Sequence, residues 1–378
     1  MSLVFSGTNG VTFPDSSLQA AAASPYVLKN RIINGDMRID QRNAGASVSN
    51  GTGASPGYTL DRFRVYGSQS SKLTIQQNAG SVTPPVGFNN YMGCTSSSAY
   101  AVTSTDYFMI IQSIEGFNTA DLGWGTANAK TVTLSFQVYS SLTGTFGGSI
   151  LNSAQDRSYP FTYTISSANT WTSISITIAG DTSGTWIGAT NGIGMRVQLG
   201  LGVGATYSGT AGAWAAAQYF SATGATSIVG TNGATFYITG VQLEIGTSAT
   251  PFERRLYNQE LANCQRYCVK YDAGGAYQRY GVGLNYSTTQ NSSVLYLPVE
   301  MRVQPTLTTT GTASNYAINH GSDSVTACNA VPTLAPAGSN TKIINLNATV
   351  ASGLTAGGFG NLLSNATTSS YLLITAEL

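Results

Sequence analysis

Strict alternation of apolar and polar residues recurs along most of this chain and constrains its fold more than any other feature. In residues 131–140 every second side chain is apolar, and residues 173–178 repeat the pattern with three isoleucines. Side chains two apart lie on the same face of a strand, so each segment has one apolar and one polar face. Many such short segments, separated by Gly-, Ser- and Asp-containing turns, predict an all-β protein with a two-sheet, jelly-roll β-sandwich.

A slip in the alternation near Gly240 predicts a β-bulge. Phe236 and Ile238 share one face, and after Gly240 the apolar face continues through Val241 and Leu243. An extra residue in one strand shifts the side-chain phase in this way, and glycine often marks the position.

Only residues 251–268 have a clearly helical pattern. The segment is rich in helix formers, and Leu261, Cys264 and Cys268 would lie on one helical face. We expect a short helix, residues 255–268, to link the sandwich at residues 30–254 to a smaller C-terminal β domain at residues 269–378. In that last domain three segments read as strands: Val294–Met301, Lys342–Val350 and Tyr371–Leu378.

The N-terminal segment, residues 1–29, is too short to bury a core of its own. Its pattern predicts two brief strands around Gly10 and then a short helix, capped by Asp15 and continued through Leu18 and the Ala20–Ala23 run. We expect this segment to dock on a partner or on sister chains.

The low charge of the chain excludes several classes of partner. Charged residues make up 9% of the chain and the net charge is +1, against about 25% charged residues in an average soluble domain. Such a balance provides no basic surface for nucleic acid or an anionic membrane, and no apolar run approaches the ~20 residues that span a bilayer. Residues 1–28 contain no Lys or Arg, so the basic start of a secretory signal is missing and we expect assembly in a cytoplasm.

The four cysteines are expected to be buried free thiols. Cys94 and Cys328 stand alone, and the Cys264–Cys268 pair would need two further ligands to hold a metal in a chain with a single histidine.

The residues with catalytic potential do not form a recognisable site. His320 has Asn319, Ser322 and Asp323 as neighbours, but neighbours on one loop rarely adopt the geometry of a triad. A solvated loop position is therefore predicted for His320. The glycine-rich segment 200–204 mimics a phosphate loop without the lysine and the helix that such a loop requires, which favours a strand with close backbone packing.

The acidic residues give no paired carboxylates by their spacing. Three aspartates lie next to arginines and are predicted to form a structural polar network with them: Asp36, Asp40 and Asp61 with Arg38, Arg42 and Arg62. Five further acids remain as candidates for glycoside hydrolysis: Asp106, Glu115, Asp121, Asp156 and Asp181. No two of them are singled out, so we expect a protein without a catalytic site.

Three phrases resemble segments of bacteriophage tail-fibre and minor virion structural proteins. They are residues 29–43 with 58–63 (KNRIINGDMRIDQRN and YTLDRF), residues 240–255 (GVQLEIGTSATPFERR) and residues 260–267 (ELANCQRY). Residues 11–19 and, more loosely, 298–306 resemble other parts of such fibres. The resemblance implies a location in the virion, a homotrimer, and contacts with other virion proteins through residues 1–29.

The region between the first two phrases is similar to jelly-roll carbohydrate-binding modules, through residues 131–140, 171–186 and 242–244 in that order. In that family the sandwich sometimes holds structural calcium, and sugars stack on aromatic rings. The candidate carbohydrate-binding residues are therefore aromatic: Trp186, Tyr207, Trp214 and Tyr219. Trp214, set among Ala and Gly, is the most loop-like; core or inter-subunit packing is the alternative for each.

The resulting hypothesis is a tail fibre that adsorbs to host cell-surface polysaccharide by many weak contacts. Two alternatives stay open: a purely structural capsid-decoration or tail component without a ligand, and a glycan depolymerase.

Overall fold

The structure is a computed structural model that describes residues 4–6, 10–12, 18–19, 29–52, 57–321 and 324–378. Strands are the main regular secondary structure of these residues, and the one α-helix among them is nine residues long. The all-β prediction is therefore confirmed. No helix in the described ranges is long and apolar enough to cross a membrane.

The N-terminal strands β1 (Val4–Ser6), β2 (Gly10–Thr12) and β3 (Leu18–Gln19) form an antiparallel sheet in that order. The two predicted strands are present, but the predicted helix is wrong at Leu18, which pairs with Thr12. A helix this short is marginal by itself because nucleation is costly, so strand pairing prevails. Residues 20–23 lie outside the described residues.

The sandwich is built from strands between residues 48 and 245. They are β4 (Val48–Ser49), β5 (Gly51–Thr52), β6 (Tyr58–Leu60), β7 (Phe63–Gly67), β8 (Leu73–Gln77), β9 (Met92–Ser96), β10 (Tyr107–Glu115), β11 (Val132–Ser140), β12 (Gly144–Leu151), β13 (Ser158–Ile165), β14 (Thr172–Ile178), β15 (Ile193–Val203), β16 (Ser208–Gly209), β17 (Ser221–Ala222) and β18 (Thr235–Ile245). Short 3-10 helices interrupt the connections at Ala79–Ser81, Gly116–Asn118, Ala120–Leu122 and Ala205–Tyr207.

Two sheets face each other in the sandwich. Sheet A has the order β13-β12-β15-β10-β7-β5, with β6 beside β7, and sheet B has the order β14-β11-β18-β9-β8-β4. Phe63 and Phe108 of sheet A and Leu134 and Leu243 of sheet B belong to one buried core. The alternation read from the sequence thus marks the inner face of each sheet.

The predicted bulge at Gly240 is confirmed. Ser135 pairs with Gln242 and Gln137 pairs with Thr239, so Gly240 and Val241 together oppose Phe136. Gly240 has a φ of 64°, a left-handed conformation that glycine adopts without strain. The glycine-rich segment is also confirmed as a strand, since residues 200–203 belong to β15 and a Cβ at Gly202 would lie 2.5 Å from Val229.

Helix α1 spans Tyr257–Gln265 and is shorter at both ends than the predicted helix. On its N-terminal side Leu256 is extended and the Glu253 amide bonds the Gln242 side chain. On its C-terminal side Cys268 already pairs with Thr375 in a sheet. Cys264 and Cys268 therefore do not share a helical face, although all four cysteines are buried free thiols as predicted.

The C-terminal domain contains β19 (Cys268–Asp272), β20 (Arg279–Asn285), β21 (Gln290–Tyr296), β22 (Thr306–Thr309), β23 (Tyr316–His320), β24 (Ser324–Ala327), β25 (Thr333–Ala335), β26 (Ile343–Thr349), β27 (Phe359–Ser364) and β28 (Tyr371–Thr375), with a 3-10 turn at Ala313–Asn315. A three-stranded sheet, β19-β28-β22, packs with a seven-stranded one, β24-β23-β27-β20-β21-β26-β25, around a second core. β21 ends earlier than predicted, before Pro298, which has no N–H to donate to a ladder.

The three phrases that resemble phage fibres converge where the two domains meet. The Glu253 carboxylate accepts from the Asn30 amide at 2.9 Å, and the Glu260 carboxylate accepts from the Asn34 amide. Arg255 then bonds both glutamates. The region where these contacts gather is called the junction below; it also includes Arg42, Arg62, Glu115, Arg266, Tyr267 and Glu377.

Candidate functional site

The outer face of sheet A carries polar and aromatic side chains at the positions that alternate with the core. Phe63 and Val65 of β7 face the core, so Arg64 and Tyr66 lie on the other side of the strand. By the same alternation β10 presents Tyr107, Met109 and Ile111 outward, and β15 presents Arg196 and Gln198.

The strand register brings these outward residues together. Met109 lies opposite Tyr66 on one side and Gly200 on the other. In the next row Ile111 lies opposite Arg64 and Gln198. Three adjacent strands therefore place an aromatic residue, a guanidinium and an amide within two rows of one face.

The segment that follows β15 folds back over this face and makes it concave. A cavity of about 200 Å³ results, called the groove below. It is lined by Arg64, Tyr66, Tyr107, Met109, Ile111, Gln155, Arg196, Gln198, Tyr207, Gln218 and Phe220. Its lining is a mixture of aromatic rings and a few convergent polar groups, which is typical of small-ligand sites.

Four aromatic rings form one wall of the groove. Tyr107 is stacked with Tyr66 at 5.4 Å between ring centroids and meets Tyr207 and Phe220 edge-on at 5.5 and 5.4 Å. Tyr207 and Phe220 are stacked at 4.8 Å. Burial and a hydrogen bond with Tyr66 raise the pKa of Tyr107 to about 12, so it remains a neutral phenol at physiological pH. The packing fixes ring orientations before any ligand arrives.

The amide of Gln198 lies at the floor of the groove. The side chain is 1% exposed, and its Oε1 has no hydrogen-bond partner in the described part of the chain. At the rim, Gln218 donates to Gln155 at 3.2 Å. Gln198 Oε1 is one of ten buried side-chain nitrogen or oxygen atoms without a partner among the described residues, and an unpaired buried acceptor costs about 1–3 kcal/mol.

Two arginines complete the groove. Arg196 donates through Nη1 to the carbonyls of Asn152 and Ser153 at 3.1 and 2.7 Å. The Arg64 guanidinium lies 5.0 Å from the centroid of the Tyr66 ring. Burial and the charge of Arg64 lower the pKa of Arg196 to about 10, so Arg196 remains cationic at neutral pH.

Chemically, this arrangement suits recognition of a sugar. The apolar face of a pyranose ring packs on an aromatic side chain, while its hydroxyls need the donors and acceptors that amides and guanidinium groups present.

Of the four residues predicted from sequence, Tyr207 lines the groove and the two tryptophans do not. Trp186 and Trp214 meet edge-on at 5.5 Å and both pack on Trp124. The indole N–H of Trp214 donates to the Ala179 carbonyl at 2.8 Å. Trp214 lies in an irregular segment, as its setting among Ala and Gly suggests, but its ring is half-buried against the sandwich core, a partner that local sequence does not reveal.

Tyr219 lies between two groove residues in sequence without lining the groove. Its amide bonds the Ser158 hydroxyl at 3.3 Å, and its ring covers Gly209 so closely that a Cβ there would be 2.2 Å from the ring. The structure therefore does not bring the four predicted aromatics together, and their role in binding stays a prediction.

The sequence reading missed Arg64, Tyr66, Tyr107, Arg196 and Gln198. The sequence did contain an indication of them, because these large polar and aromatic residues stand at the positions that alternate with core residues along strands β7, β10 and β15. Alternation does not reveal which strands are neighbours in the sheet. The residues form a site only because β7, β10 and β15 are adjacent.

The acidic candidates are each held by neighbouring groups. Asp181 pairs with Arg157, Asp121 with Arg31 and Glu115 with Arg266, while Asp106 accepts from Ser68 and Thr103 and Asp156 from Asn152.

The network predicted for Asp36, Asp40 and Asp61 exists with different partners. Asp36 pairs with Arg38 at 3.2 Å, as expected. Asp40 instead accepts from the backbone amides of Asn43 and Gly45, and Asp61 accepts from Gln41. Arg42 and Arg62 both bind Glu377, which lies more than 300 residues later. The prediction of a sequence neighbour as partner is confirmed for Asp36 and wrong for Asp40 and Asp61, because the chain end folds into the junction and takes Arg42 and Arg62.

His320 ends strand β23, where a loop was predicted, and its Nε2 lies 2.9 Å from the Thr326 hydroxyl. Ser322 and Asp323 lie outside the described residues. Within the part of the chain that the structure describes, no three His, Cys, Asp or Glu side chains come together as a metal site. Structural calcium stays an untested expectation.

No protein-family model matches this sequence, and no curated protein matches it. Solved structures that resemble the fold include the enzymatically active domain of tailspike protein 4 of bacteriophage CBA120, at 12% identity and a TM-score of 0.33 over 59% of this chain and 22% of that one. The family 11 carbohydrate-binding module from Clostridium thermocellum, in complex with a mixed-linked tetrasaccharide, has 12% identity and a TM-score of 0.26 over 50% and 91%. The CBM22-1 xylan-binding domain from Paenibacillus barcinonensis has 7% identity and a TM-score of 0.28 over 61% and 100%. At such values none of them assigns this chain to a family.

Proposed function

We propose that this protein is a non-enzymatic virion component, a tail fibre, that adsorbs to host surface polysaccharide through the groove on sheet A. The observation that carries the glycan-binding part is the groove itself, where an aromatic wall faces a buried amide and two guanidinium groups. The tail-fibre part is supported by the three phrases of the sequence, which pack together at the junction.

Gln198 supports ligand binding because its amide lines the groove while its Oε1 is buried with no partner in the described residues. A rotation of the side chain that turns Oε1 toward the groove would let a sugar hydroxyl donate to it and remove the cost of the unpaired acceptor. The neighbouring aromatic wall would hold that sugar in place, with the ring packed on Tyr66, Tyr107 or Tyr207.

Firm attachment by weak sites requires several copies, and a homotrimer is part of the proposal. On the outer face of the C-terminal seven-stranded sheet, Leu284 and Phe359 are cross-strand partners that are 58% and 55% exposed, and Val282 beside them is 53% exposed. Apolar side chains clustered on a surface favour association with another copy of the chain. Further contacts with virion proteins are proposed for residues 1–29.

We propose that the protein is not an enzyme because its candidate acidic side chains are already bonded to neighbouring groups. Asp106, Glu115, Asp121 and Asp181 each bond neighbouring side chains, and hydrolysis of a glycosidic bond needs two carboxyls facing one substrate.

The test of binding is a glycan array, followed by calorimetry with the strongest hit. Tyr207→Ala removes part of the aromatic wall, and Gln198→Met keeps the volume while removing the amide. Each is expected to weaken binding about tenfold or more. The matched control is Tyr257→Ala, an exposed tyrosine at the start of α1, which should bind like the unaltered protein.

Unchanged affinity in both groove variants would contradict the site. Failure of the protein to bind any glycan or intact host cells would favour the purely structural alternative. Release of reducing ends from purified host polysaccharide would establish the depolymerase alternative instead.

Oligomeric state is tested separately by light scattering at micromolar concentration. A trimer mass is expected, and Leu284→Lys should reduce it toward the monomer. A monomeric unaltered protein would contradict the trimer.

A further inference from the structure

The groove contains two arginines that lack a carboxylate partner. Elsewhere in the sandwich, partly buried arginines bind carboxylates: Arg31 binds Asp121 and Arg157 binds Asp181. Across the described residues, neither Arg64 nor Arg196 has an Asp or Glu oxygen within 4.0 Å. Among the described residues of the range 30–254, three arginines have no carboxylate partner, and two of them, Arg64 and Arg196, line the groove.

The two guanidinium groups converge on the groove from opposite sides. Arg64 lies on β7 and Arg196 on β15, with β10 between them. They occupy adjacent rows, since Arg64 lies opposite Ile111 and Arg196 lies opposite Ser113. The charge of Arg64 lowers the pKa of Arg196, so the like charges are near enough to repel each other, and an anion between them would relieve the repulsion.

Arg196 is held in an orientation suited to a ligand. Its Nη1 is anchored by the carbonyls of Asn152 and Ser153. Its Nε and Nη2 bond nothing in the residues that the structure describes, although the side chain lines the groove. Guanidinium groups bind carboxylates by two parallel hydrogen bonds, and such charge-assisted bonds are roughly twice as strong as neutral ones.

We propose that the groove selects acidic glycans, in which a sugar unit bears a carboxylate, as uronic acids do. The ring packs on the aromatic wall, a hydroxyl donates to Gln198, and the carboxylate lies between Arg64 and Arg196. This inference rests on the proposed glycan-binding function and names its substrate class.

The experiment uses pairs of matched oligosaccharides. Each member of a panel of uronic-acid oligosaccharides, such as oligogalacturonate, alginate and hyaluronan fragments, is compared with its carboxyl-reduced counterpart. The full-length protein is titrated with both by calorimetry, together with the Arg64→Gln and Arg196→Gln variants. The control variant is Arg279→Gln, an exposed arginine on β20 of the C-terminal domain, far in sequence from the groove strands.

For at least one pair, the unaltered protein and Arg279→Gln should bind the acidic member about tenfold tighter or more than the reduced one. In Arg64→Gln and Arg196→Gln that ratio should fall toward one, while the affinity for the reduced member stays similar. Binding of the acidic member should weaken in about 0.5 M salt, which screens charge. A sulfated neutral glycan distinguishes carboxylate recognition from recognition of any anion.

The possible outcomes distinguish the acidic selectivity from the glycan-binding function on which it rests. Equal binding of acidic and reduced members overturns the acidic selectivity and leaves glycan binding intact. A preference that survives in both arginine variants overturns the role of the groove arginines. Tighter binding of the sulfated glycan than of any uronate overturns the carboxylate assignment, and failure to bind any saccharide overturns the glycan-binding function as well.

Discussion

The junction and the groove both contain arginines removed from bulk water, but their partners differ. In the junction Arg62 is 1% exposed, binds Glu377 and lies 3.6 Å from the centroid of the Tyr267 ring. In the groove Arg196 bonds two carbonyls, and no carboxylate of the described residues pairs with it.

The difference separates a structural role from a binding role. A buried ion pair whose geometry is complete holds two domains in one arrangement, and breaking it leaves a charge uncompensated. Arg196 has no carboxylate partner among the described residues and keeps guanidinium nitrogens that bond nothing there, so it remains available to a ligand. The following changes test that distinction, from the largest expected effect to the smallest.

Glu377→Gln should destabilise the protein most. The variant leaves Arg42 and Arg62 without their shared counterion, so the free energy of unfolding should fall by about 3–5 kcal/mol in urea denaturation. Glu300→Gln is the control, because Glu300 forms an exposed pair with Lys342 and its loss should be undetectable. Equal effects of the two variants would show that the junction charges are not structural.

Asp61 should make the stability of the junction depend on pH. Burial, opposed by the hydrogen bond from Gln41, raises the pKa of its carboxyl to about 7. The folded state then holds a proton that the unfolded state releases, so the free energy of unfolding should fall as pH rises from the ordinary aspartate pKa to about 7. The expected loss is about 2–4 kcal/mol. Urea denaturation across this range should show a flatter profile for Asp61→Asn; an identical slope would contradict the assignment.

Trp214→Ala should affect stability and leave binding unchanged. Trp214 packs edge-on against Trp124, Trp186 and Tyr159, and its truncation should cost about 2–3 kcal/mol. Glycan affinity should match that of the unaltered protein, in contrast to Tyr207→Ala. Lost affinity with unchanged stability would instead place the binding site at the tryptophans, as the sequence suggested.

Arg196→Met should have the smallest effect on folding. The change removes a cation that has no carboxylate partner in the described chain, so the free energy of unfolding should move by less than about 1 kcal/mol. Arg62→Met, the matched change at the junction, should destabilise the protein strongly. A loss of several kcal/mol in Arg196→Met would give that arginine a structural role.

Much of the fold could be predicted from periodicity, because alternation reports which residues face a core. The strands around Phe136 and Ile176 and the bulge at Gly240 followed from local pattern alone. Prediction from local pattern failed where contacts with a distant segment determine the end of an element or the partner of a side chain. The helix ends at Gln265 because Cys268 pairs with Thr375, and Arg62 binds Glu377 rather than its neighbour Asp61.

The candidate site was harder to predict than the fold. Tyr207 could be named because aromatic residues suit sugars, yet the same rule also selected Trp186 and Trp214, which pack on the core. The groove depends on the adjacency of β7, β10 and β15, and its residues Ile111 of β10 and Arg196 of β15 are 85 positions apart in sequence. The order of strands in a sheet depends on contacts between distant segments. Without that order, a single sequence does not distinguish an aromatic residue that binds a ligand from one that packs in the core.

The most direct test of the central claim is an experimental structure of the protein bound to its tightest oligosaccharide. We expect a sugar ring against Tyr66, Tyr107 or Tyr207, with a hydroxyl within hydrogen-bond distance of Gln198 Oε1. A saccharide bound at the tryptophan cluster or on the C-terminal domain, with the groove empty, would contradict the account.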